Sequence, residues 1–459
     1  MQKRHVGDLE RLLGSDRVSV KEADLAAHAR DESFHGPHPP DIVVWPESAE
    51  EISAILTYAN QERLPVTPWS GGSSLEGNPI PVRGGILLAL YHMNKILEIN
   101  EADLNVVVQP AVVYDELNAR LARHGLFFPP APGSSDVATI GGMVGNNSSG
   151  MHAVRYGATR DYVLALQVVL PDGRIVRLGK PVIKSASGYD LVRLFVGSEG
   201  TLGVVAEITL RLRLVMEELA VVSVFPSMDA AAQTIYDINR YGPMPAALEL
   251  MDPDIVRLVN QWKGLSLEEA PTLVMELHGT PAGLEEEVAM LEETCRDNGC
   301  TKFEKATSPG QRHRLWEGRR EAHNAVKHLH PDCTIEIGDI VVPISKYVAA
   351  VRKAYELAEE LGLGIATFGH AGDGNLHVEY IAHKSDADEQ ARAREMNRRL
   401  VHWVLGVGGT ATGEHGVGIG KREFMVEEHG PALAVMRTIK SALDPNGIMN
   451  PGKIFPDEQ

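Results

Sequence analysis

Cysteine is scarce: the 459 residues include only Cys295, Cys300 and Cys333. So few thiols exclude a disulfide-built fold, and the four residues between Cys295 and Cys300 fit neither a redox Cys-x-x-Cys nor a zinc knuckle. Buried or unreactive thiols and a reducing compartment are expected. The opening MQKRHVGDLERLL has no apolar core of a secretory signal, and no run approaches the length of a membrane span. The expectation is therefore a cytoplasmic protein, with at most peripheral contact at the inner face of a membrane. Positive charge is also short, 44 Lys+Arg against 62 Asp+Glu, a net charge of −18. Nucleic acid is not expected as the main partner, because phosphate binding needs a basic surface. There is no internal repeat and no low-complexity tract. What is present, 44% hydrophobic and 23% charged residues, is ordinary for globular chains and excludes wholesale disorder. The length predicts two or three domains.

Short strands and helices alternate along the first half. Ile42–Trp45 reads as a strand, and Ser48–Gln61 as an amphipathic helix opened by a capping box of Ser48 and Glu51. A strand at Leu64–Thr67 runs into the Gly-rich Pro68–Gly77. Two β-rich runs between Gly84 and Val113 precede a helix near Asp115–His124, and a loop is expected from Phe128 to Met151. Tyr162–Leu170 and Ile175–Leu178 flank Pro171-Asp172-Gly173, a hairpin signal. Thr201–Leu214 is strand-like. After Met216 the texture changes: strands at Val221–Phe225, Ala246–Met251 and Thr272–His278 alternate with helices at Met228–Arg240 and Leu284–Asn298. Later helices are expected at Ile344–Leu361 and Ala387–Leu405, followed by a loop-rich end.

Three loops concentrate small residues. Pro68-Trp69-Ser70-Gly71-Gly72-Ser73-Ser74-Leu75-Glu76-Gly77 follows a strand directly, where consecutive small residues let backbone N–H groups converge on an anion such as pyrophosphate. It matches neither G-x-G-x-x-G nor G-x-x-x-x-G-K-[ST], so neither a Rossmann fingerprint nor a P-loop is indicated. Pro132-Gly133-Ser134-Ser135 and Thr139–Gly150 hold five glycines, which suits a loop lying flat against a large ligand. Gly197-Ser198-Glu199-Gly200-Thr201-Leu202-Gly203 opens a strand. Any one of these loops alone is more often a plain turn; three on one domain point to a ligand.

Together with Lys184-Ser185-Ala186-Ser187-Gly188-Tyr189-Asp190, these loops resemble the FAD-binding domain of the vanillyl-alcohol-oxidase family. The second half is similar to the FAD-linked D-2-hydroxyacid dehydrogenases of that superfamily, which include D-lactate dehydrogenase, the flavin-bearing chain of glycolate oxidase and D-2-hydroxyglutarate dehydrogenase. The strings that carry the likeness are Phe368–His377 (FGHAGDGNLH), Thr412–Gly418 (TGEHGVG) and Leu443–Lys453 (LDPNGIMNPGK). The likeness runs from about residue 40 to residue 455.

The resemblance implies an α+β protein. A two-part PCMH-type FAD-binding domain would span 1–215, and an α/β substrate (cap) domain with an antiparallel sheet and the metal site 216–410. The segment 411–459 would return to the flavin. It implies FAD contacts from Pro68, Trp69, Ser70, Gly71, Gly72, Ser73, Ser74 and Leu75. Further contacts would come from Pro132, Gly133, Ser134, Thr139, Ile140, Gly141, Gly142, Gly145, Asn147, Ser148 and Gly150. Tyr156, Gly157, Glu199, Gly200, Gly203, Val204 and Asn450 complete the set, with Gly200–Val204 near the adenine side. Covalent members carry a His in the first loop; here Ser73 and Ser74 stand there, so a non-covalent flavin is implied.

His370 and His377 bracket a turn-forming Ala-Gly-Asp-Gly-Asn-Leu run, so a tight reversal can bring both imidazoles to one point. With Glu414 from a distant Gly-rich loop they make two His and one carboxylate, the donor set of a catalytic divalent metal such as zinc, manganese or iron. The bland alternative is two satisfied histidines and a solvated Glu. His415, beside Glu414, is the expected general base for a substrate hydroxyl. Trp316-Glu317-Gly318-Arg319 matches the family's Trp-x-x-Arg, which gives Arg319 the substrate carboxylate, with Arg320 turned to solvent. His323, one helical turn on, and Asn375 complete the expected substrate contacts.

The D-2-hydroxyglutarate branch has a Lys two residues before the Asp of its Asp-x-x-x-Pro strand and an Asn two residues after its second metal His. Here Ile337 precedes Asp339, and Glu379 follows His377. An apolar residue offers a second carboxylate no partner, which favours a small monocarboxylate, D-lactate first and glycolate next. Two other classes fit parts of the pattern: a non-redox flavin enzyme resembling alkylglycerone-phosphate synthase, and a metal hydrolase without flavin. The electron acceptor (quinone, cytochrome or electron-transfer flavoprotein) and the oligomer, a homodimer being one option, are left open.

Overall fold

The computed structural model describes residues 3–306 and 308–457. Its contacts divide the chain into two compact units. Met1–Ser149, Ala158–Val215 and Glu414–Gln459 form the first, and Gly150–Gly157 with Met216–Gly413 the second.

In the first unit a four-stranded mixed sheet runs in the spatial order Val18–Ser19, Ile42–Val44, Ile86–Ala89, Val66–Trp69. The last three strands are parallel. Helix Ala49–Glu62 lies on this sheet because Ile52, Ile55, Leu56 and Ala59 recur at helical spacing; all four are fully buried beside Ile42, Val44 and Ile86. Each of the larger side chains contributes about 1.5–3 kcal/mol by leaving water. Ser48 Oγ accepts from the Glu51 amide at 3.2 Å as expected, but the box is open on its other side. The Glu51 carboxylate accepts from Glu47 N at 2.7 Å and pairs with Arg17, so it reaches past the cap residue. Ile448 and Met449 complete the core, and Met449 bridges Val66 in parallel.

A five-stranded antiparallel sheet follows, in the order Ile96–Asn100, Asn105–Val108, Val204–Arg211, Val163–Val169, Ile175–Gly179. The expected hairpin at Pro171-Asp172-Gly173 is present. The run from Phe128 to Met151, expected as a long loop, contains a helix at Ile140–Asn146. Its three glycines, Gly141, Gly142 and Gly145, weigh against helix by propensity. Here tertiary bonds override that: the Ile140 and Gly141 amides donate to Val112 O at 2.9 Å and Pro110 O at 2.7 Å.

The second unit is built on a seven-stranded sheet whose neighbours are all antiparallel. Its order is Lys302–Lys305, Glu217–Val224, Thr272–Gly279, Ala247–Met251, Gly364–Gly369, Asn375–His383, Cys333–Val341. Side-chain caps open its helices: Ser227 Oγ accepts from Ala230 N, Thr280 Oγ1 from Gly283 N, and Asp252 Oδ1 from Ile255 N. Cys295 and Cys333 are buried and Cys300 partly so, with burial pushing the Cys295 thiol up to about 12. Among the described residues no helix is long and apolar enough to cross a membrane.

The hairpin turn ties the two sheets of the first unit together. Gly173 has φ 88°, and a Cβ added there would lie 2.0 Å from Thr57 Oγ1 and 3.0 Å from Ser53 O on the covering helix. Gly173→Ala should therefore destabilise the protein by about 2–3 kcal/mol, combining the left-handed conformation with the overlap. Urea unfolding checks it; an unchanged midpoint would show that the helix yields freely.

Candidate active site

The first unit contains a cavity bounded by the ends of its Gly-rich loops. Pro68, Trp69 and Ser70 line it from the first loop, Gly141 and Gly145 from the second, and Glu199, Gly200, Gly203 and Val204 from the third. The structure thus brings together nine of the expected cofactor residues, and adds Leu90, Pro110, Phe195, Ser198 and Val205, which the sequence reading missed. Ser70 Oγ and Thr139 Oγ1 meet at 2.6 Å and fix the first loop against the second. Gly145 is telling: it is helical, and a Cβ there would meet nothing within 4 Å. Packing therefore does not demand glycine at this position, and a side chain there would reach toward the cavity that Gly145 lines. Small residues from three loops leave this cradle lined largely by backbone, which suits a ligand that approaches the main chain closely. Gly141 offers a ligand room rather than an N–H donor, because its amide is committed to Pro110 O, and the fully buried Ile140 does not line the cavity.

Other expected cofactor residues are engaged within the protein. Asn147 has φ 57° and accepts from Arg160 N at 2.9 Å, while Ser148 O accepts from Thr159 N at 3.0 Å. Ser74 Oγ bonds Asn78 Oδ1. Asn450 donates both amide hydrogens, to Glu199 O at 2.7 Å and Asn78 O at 3.0 Å, so its side chain braces the fold instead of donating to a cofactor. Gly71, Gly72, Ser73 and Leu75 do not line the cavity, nor do Pro132, Gly133 and Ser134. Gly150, Tyr156 and Gly157 belong to the second unit.

Glu199 is the hub of the first unit. It is buried at φ 51°, a left-handed conformation, and its carboxylate accepts from Val417 N at 2.7 Å, Gly418 N at 2.9 Å and Asn78 Nδ2 at 2.7 Å. Burial raises its pKa, and these donors act against that rise. The loop it grips carries Glu414 and His415. Ser149 Oγ donates to Glu414 Oε2 at 3.3 Å, and Asn146 Nδ2 holds His415 O at 3.1 Å. His415 Nε2 lies 3.9 Å from Glu414 Oε1.

In the second unit the hairpin Gly364–Gly369/Asn375–His383 turns through His370–Gly374. It sets the imidazoles of His370 and His377 with ring centres 5.3 Å apart and planes at 88°. Each ring has a fully buried carboxylate near its Nδ1: Glu249 at 2.9 Å from that of His370, Asp339 at 3.8 Å from that of His377. Donation from His370 Nδ1 to Glu249 puts that ring's lone pair on Nε2, the arrangement by which a carboxylate orients a metal-binding imidazole. The donor set therefore fits a divalent metal. Burial alone would raise Glu249's pKa, but His370 and then Arg319 outweigh it and hold the carboxyl below its usual range.

Arg319 is buried and Arg320 exposed, on consecutive residues of one helix. Arg319 does not keep its whole fork for a substrate: its Nε and Nη2 both lie 2.7 Å from Glu249 Oε2, and its guanidinium stacks 4.7 Å from the Phe368 ring centre. Asn375, expected to touch substrate, instead gives its amide hydrogens to Asp339 Oδ1 at 2.8 Å and Ile340 O at 3.0 Å. Asp339 Oδ2 also accepts from Thr412 Oγ1 and Gly413 N, each at 2.8 Å. His323 Nδ1 meets the fully buried Glu379 at 2.7 Å.

Residues 40–179 match the FAD binding domain family, and residues 217–454 match FAD linked oxidases, C-terminal domain. The chain belongs to the FAD-linked oxidase family. Among its relatives is a probable mitochondrial D-lactate dehydrogenase of Danio rerio, 40% identical over 99% of this chain and 92% of that one. The mitochondrial D-lactate dehydrogenase [cytochrome] of Arabidopsis thaliana is 37% identical, covering 96% and 80%. Glycolate oxidase subunit GlcD of Bacillus subtilis is also 37% identical, covering 91% and 89%. The same fold occurs in 4-ethylphenol oxidase from Gulosibacter chungangensis, with a TM-score of 0.82 at 20% identity over 99% of this chain and 97% of that one. This α+β FAD-linked oxidase therefore has the flavin-binding fold that its loops led us to expect.

Glu249, Asn146 and Ser149 were not legible as site residues: the first is one polar position in an apolar strand, and the others read as part of a polar loop. Gly145 gives the sharpest test of the cavity. Gly145→Leu should still fold, because its Cβ meets no neighbour within 4 Å, yet leave the purified protein with on the order of a tenth of its FAD or less, the side chain reaching into the cradle. Flavin absorbance per chain measures it, and full yellow colour would place the cofactor elsewhere.

Proposed function

We propose that this chain oxidises a small D-2-hydroxymonocarboxylate, D-lactate first, to the 2-oxoacid and passes the electrons through non-covalently held FAD to a non-NAD acceptor. The observation that carries the reading is the buried imidazole pair His370/His377 with a carboxylate near each Nδ1, in a chain whose full-length relatives include proteins named D-lactate dehydrogenase. In this reading residues 1–215 and 411–459 serve the flavin and residues 216–410 the substrate. His370, His377 and Glu414 would hold a divalent metal. When bound, FAD supplies the hydride acceptor at N5, and the metal supplies Lewis-acid polarisation of the hydroxyl.

The remaining work falls to the protein. His415 accepts the hydroxyl proton at its imidazole as the Cα hydrogen leaves with its electron pair, then returns that proton to solvent. Arg319 attracts the carboxylate with the part of its guanidinium turned away from Glu249 and orients Cα. Ile337, buried and apolar, gives no partner to a second carboxylate, which supports a monocarboxylate. Ser73 and Ser74, in place of a tethering His, support a flavin released by denaturation. The relatives named with cytochrome favour a cytochrome as acceptor over a quinone or an electron-transfer flavoprotein. Glycolate is the second reading, favoured by the GlcD relatives.

Anaerobic mixing with D-lactate should bleach the flavin within one turnover, glycolate more slowly and L-lactate not at all. His415→Asn, checked for retained FAD and metal, should lose about 10²–10⁴-fold in that rate. Its residual rate should rise with pH as hydroxide replaces the imidazole. Near wild-type reduction by the variant would move the base elsewhere, and a flavin indifferent to every D-2-hydroxyacid would overturn the assignment.

A further inference from the structure

A second cluster of metal-ligating side chains lies wholly inside the second unit and takes no part in the chemistry above. Glu276 and His278 are two residues apart on strand Thr272–Gly279, so they share one face of the sheet. His152 approaches them from the short segment Gly150–Gly157. His278 Nε2 lies 2.8 Å from Glu276 Oε1, and His152 Nε2 lies 3.1 Å from the same oxygen. Two donors satisfying a carboxylate would ordinarily spread over its two oxygens. Here both nitrogens converge on one, at spacings close to the roughly 3.3 Å that separates neighbouring ligand atoms around a tetrahedral ion with bonds of about 2.0–2.1 Å.

Four further features match a built site. The rings of His152 and His278 stand 5.3 Å apart at 75°, nearly the disposition of His370 and His377. Tyr156 Oη is 2.8 Å from His278 Nδ1, an outer partner that orients the ring with Nε2 toward Glu276. Glu218, directly across the ladder from His278, has Oε1 4.0 Å from that Nε2, near enough to supply a fourth ligand. Glu276 and His278 are 8% and 2% exposed, so an ion there would be largely shielded from water.

We propose that His152, Glu276 and His278 form a second divalent-cation site, of the borderline-soft kind that takes zinc or cobalt, and that it clips the segment Gly150–Gly157 to the sheet of its unit. Arg155 Nη1, which donates to His278 O at 2.7 Å, fastens the same segment without a metal and so preforms the site. The role is structural, and an ion here would raise the unfolding temperature.

The test uses FAD-loaded enzyme stripped with chelator and titrated with cobalt(II) alone, in a His377→Ala background that removes the other candidate site. That variant should still take up about one cobalt per chain, with the visible bands of a four-coordinate ion, and gain thermal stability on binding. Adding His278→Ala should abolish both. His152→Gln, on a half-buried side chain, serves if that double variant misfolds. Tyr156→Phe should weaken cobalt binding about 10–100-fold by removing the orienting partner. The inference is overturned if His377→Ala binds no cobalt, or if the cluster substitutions leave its uptake unchanged; in either case the three side chains share protons only. Uptake by wild-type enzyme that is lowered by His278→Ala but not by His377→Ala would support this site while counting against the His370/His377/Glu414 assignment, so the two readings fail separately.

Discussion

A buried carboxylate in a left-handed backbone conformation organises the first unit. Glu199 could be replaced by glycine for backbone ease, and nothing in the turn itself calls for an acid. What calls for it are donors from distant parts of the chain: the amides of Val417 and Gly418 and the side chain of Asn78 all point at its carboxylate. Leaving those donors unmet in a dry interior would cost about 1–3 kcal/mol each. The same residue lines the cavity, so the cofactor cradle and the loop bearing Glu414 and His415 are set by one side chain. Removing it would disturb both at once.

The second unit uses acids in a comparable way. Glu249 and Asp339 are fully buried and near Nδ1 of the two imidazoles, and each is satisfied by several donors rather than by a lone cation. Glu249 is shared between His370 and Arg319, which makes its charge bearable and couples the orientation of the two. Breaking one partner of such a group leaves an uncompensated buried charge, commonly a loss of about 3–5 kcal/mol. The seemingly simple reading of Arg319 as a substrate fork is thereby refined: part of the guanidinium is a structural element.

Much of this is legible in the amino-acid sequence. The helix at Ala49–Glu62 showed in its apolar spacing, the hairpin in Pro171-Asp172-Gly173, and the imidazole pair in a turn-forming run between two β-rich stretches. Local chemistry dictates each of these. The helix at Ile140–Asn146 was hidden because its glycines argue against it and its first bonds are made to Pro110 and Val112. Asn375 and Asn450 were expected to touch ligands, but the fold commits their amide hydrogens to Asp339 and Ile340, and to Glu199 and Asn78. Glu249 was hidden for the opposite reason, a single acid in the strand Ala-Leu-Glu-Leu-Met whose partners come from distant segments. Polar networks closed across hundreds of residues leave no local pattern.

The seam between Val66 and Met449 bears on how the protein is made. Val66 N donates to Ile448 O at 2.7 Å, Asn450 N donates to Val66 O at 2.8 Å, and Lys440 ties Met449 O to Thr201 O. A ribosome working at about 5–20 residues per second needs roughly 20–80 s to travel from one side of that seam to the other. Throughout that interval the outer edge of strand Val66–Trp69 offers unpaired amides and carbonyls, and the core beside helix Ala49–Glu62 lacks two of its apolar members. The first unit therefore closes only after the second has been synthesised, and a nascent chain must be kept from edge-to-edge association until Ile448–Asn450 emerge.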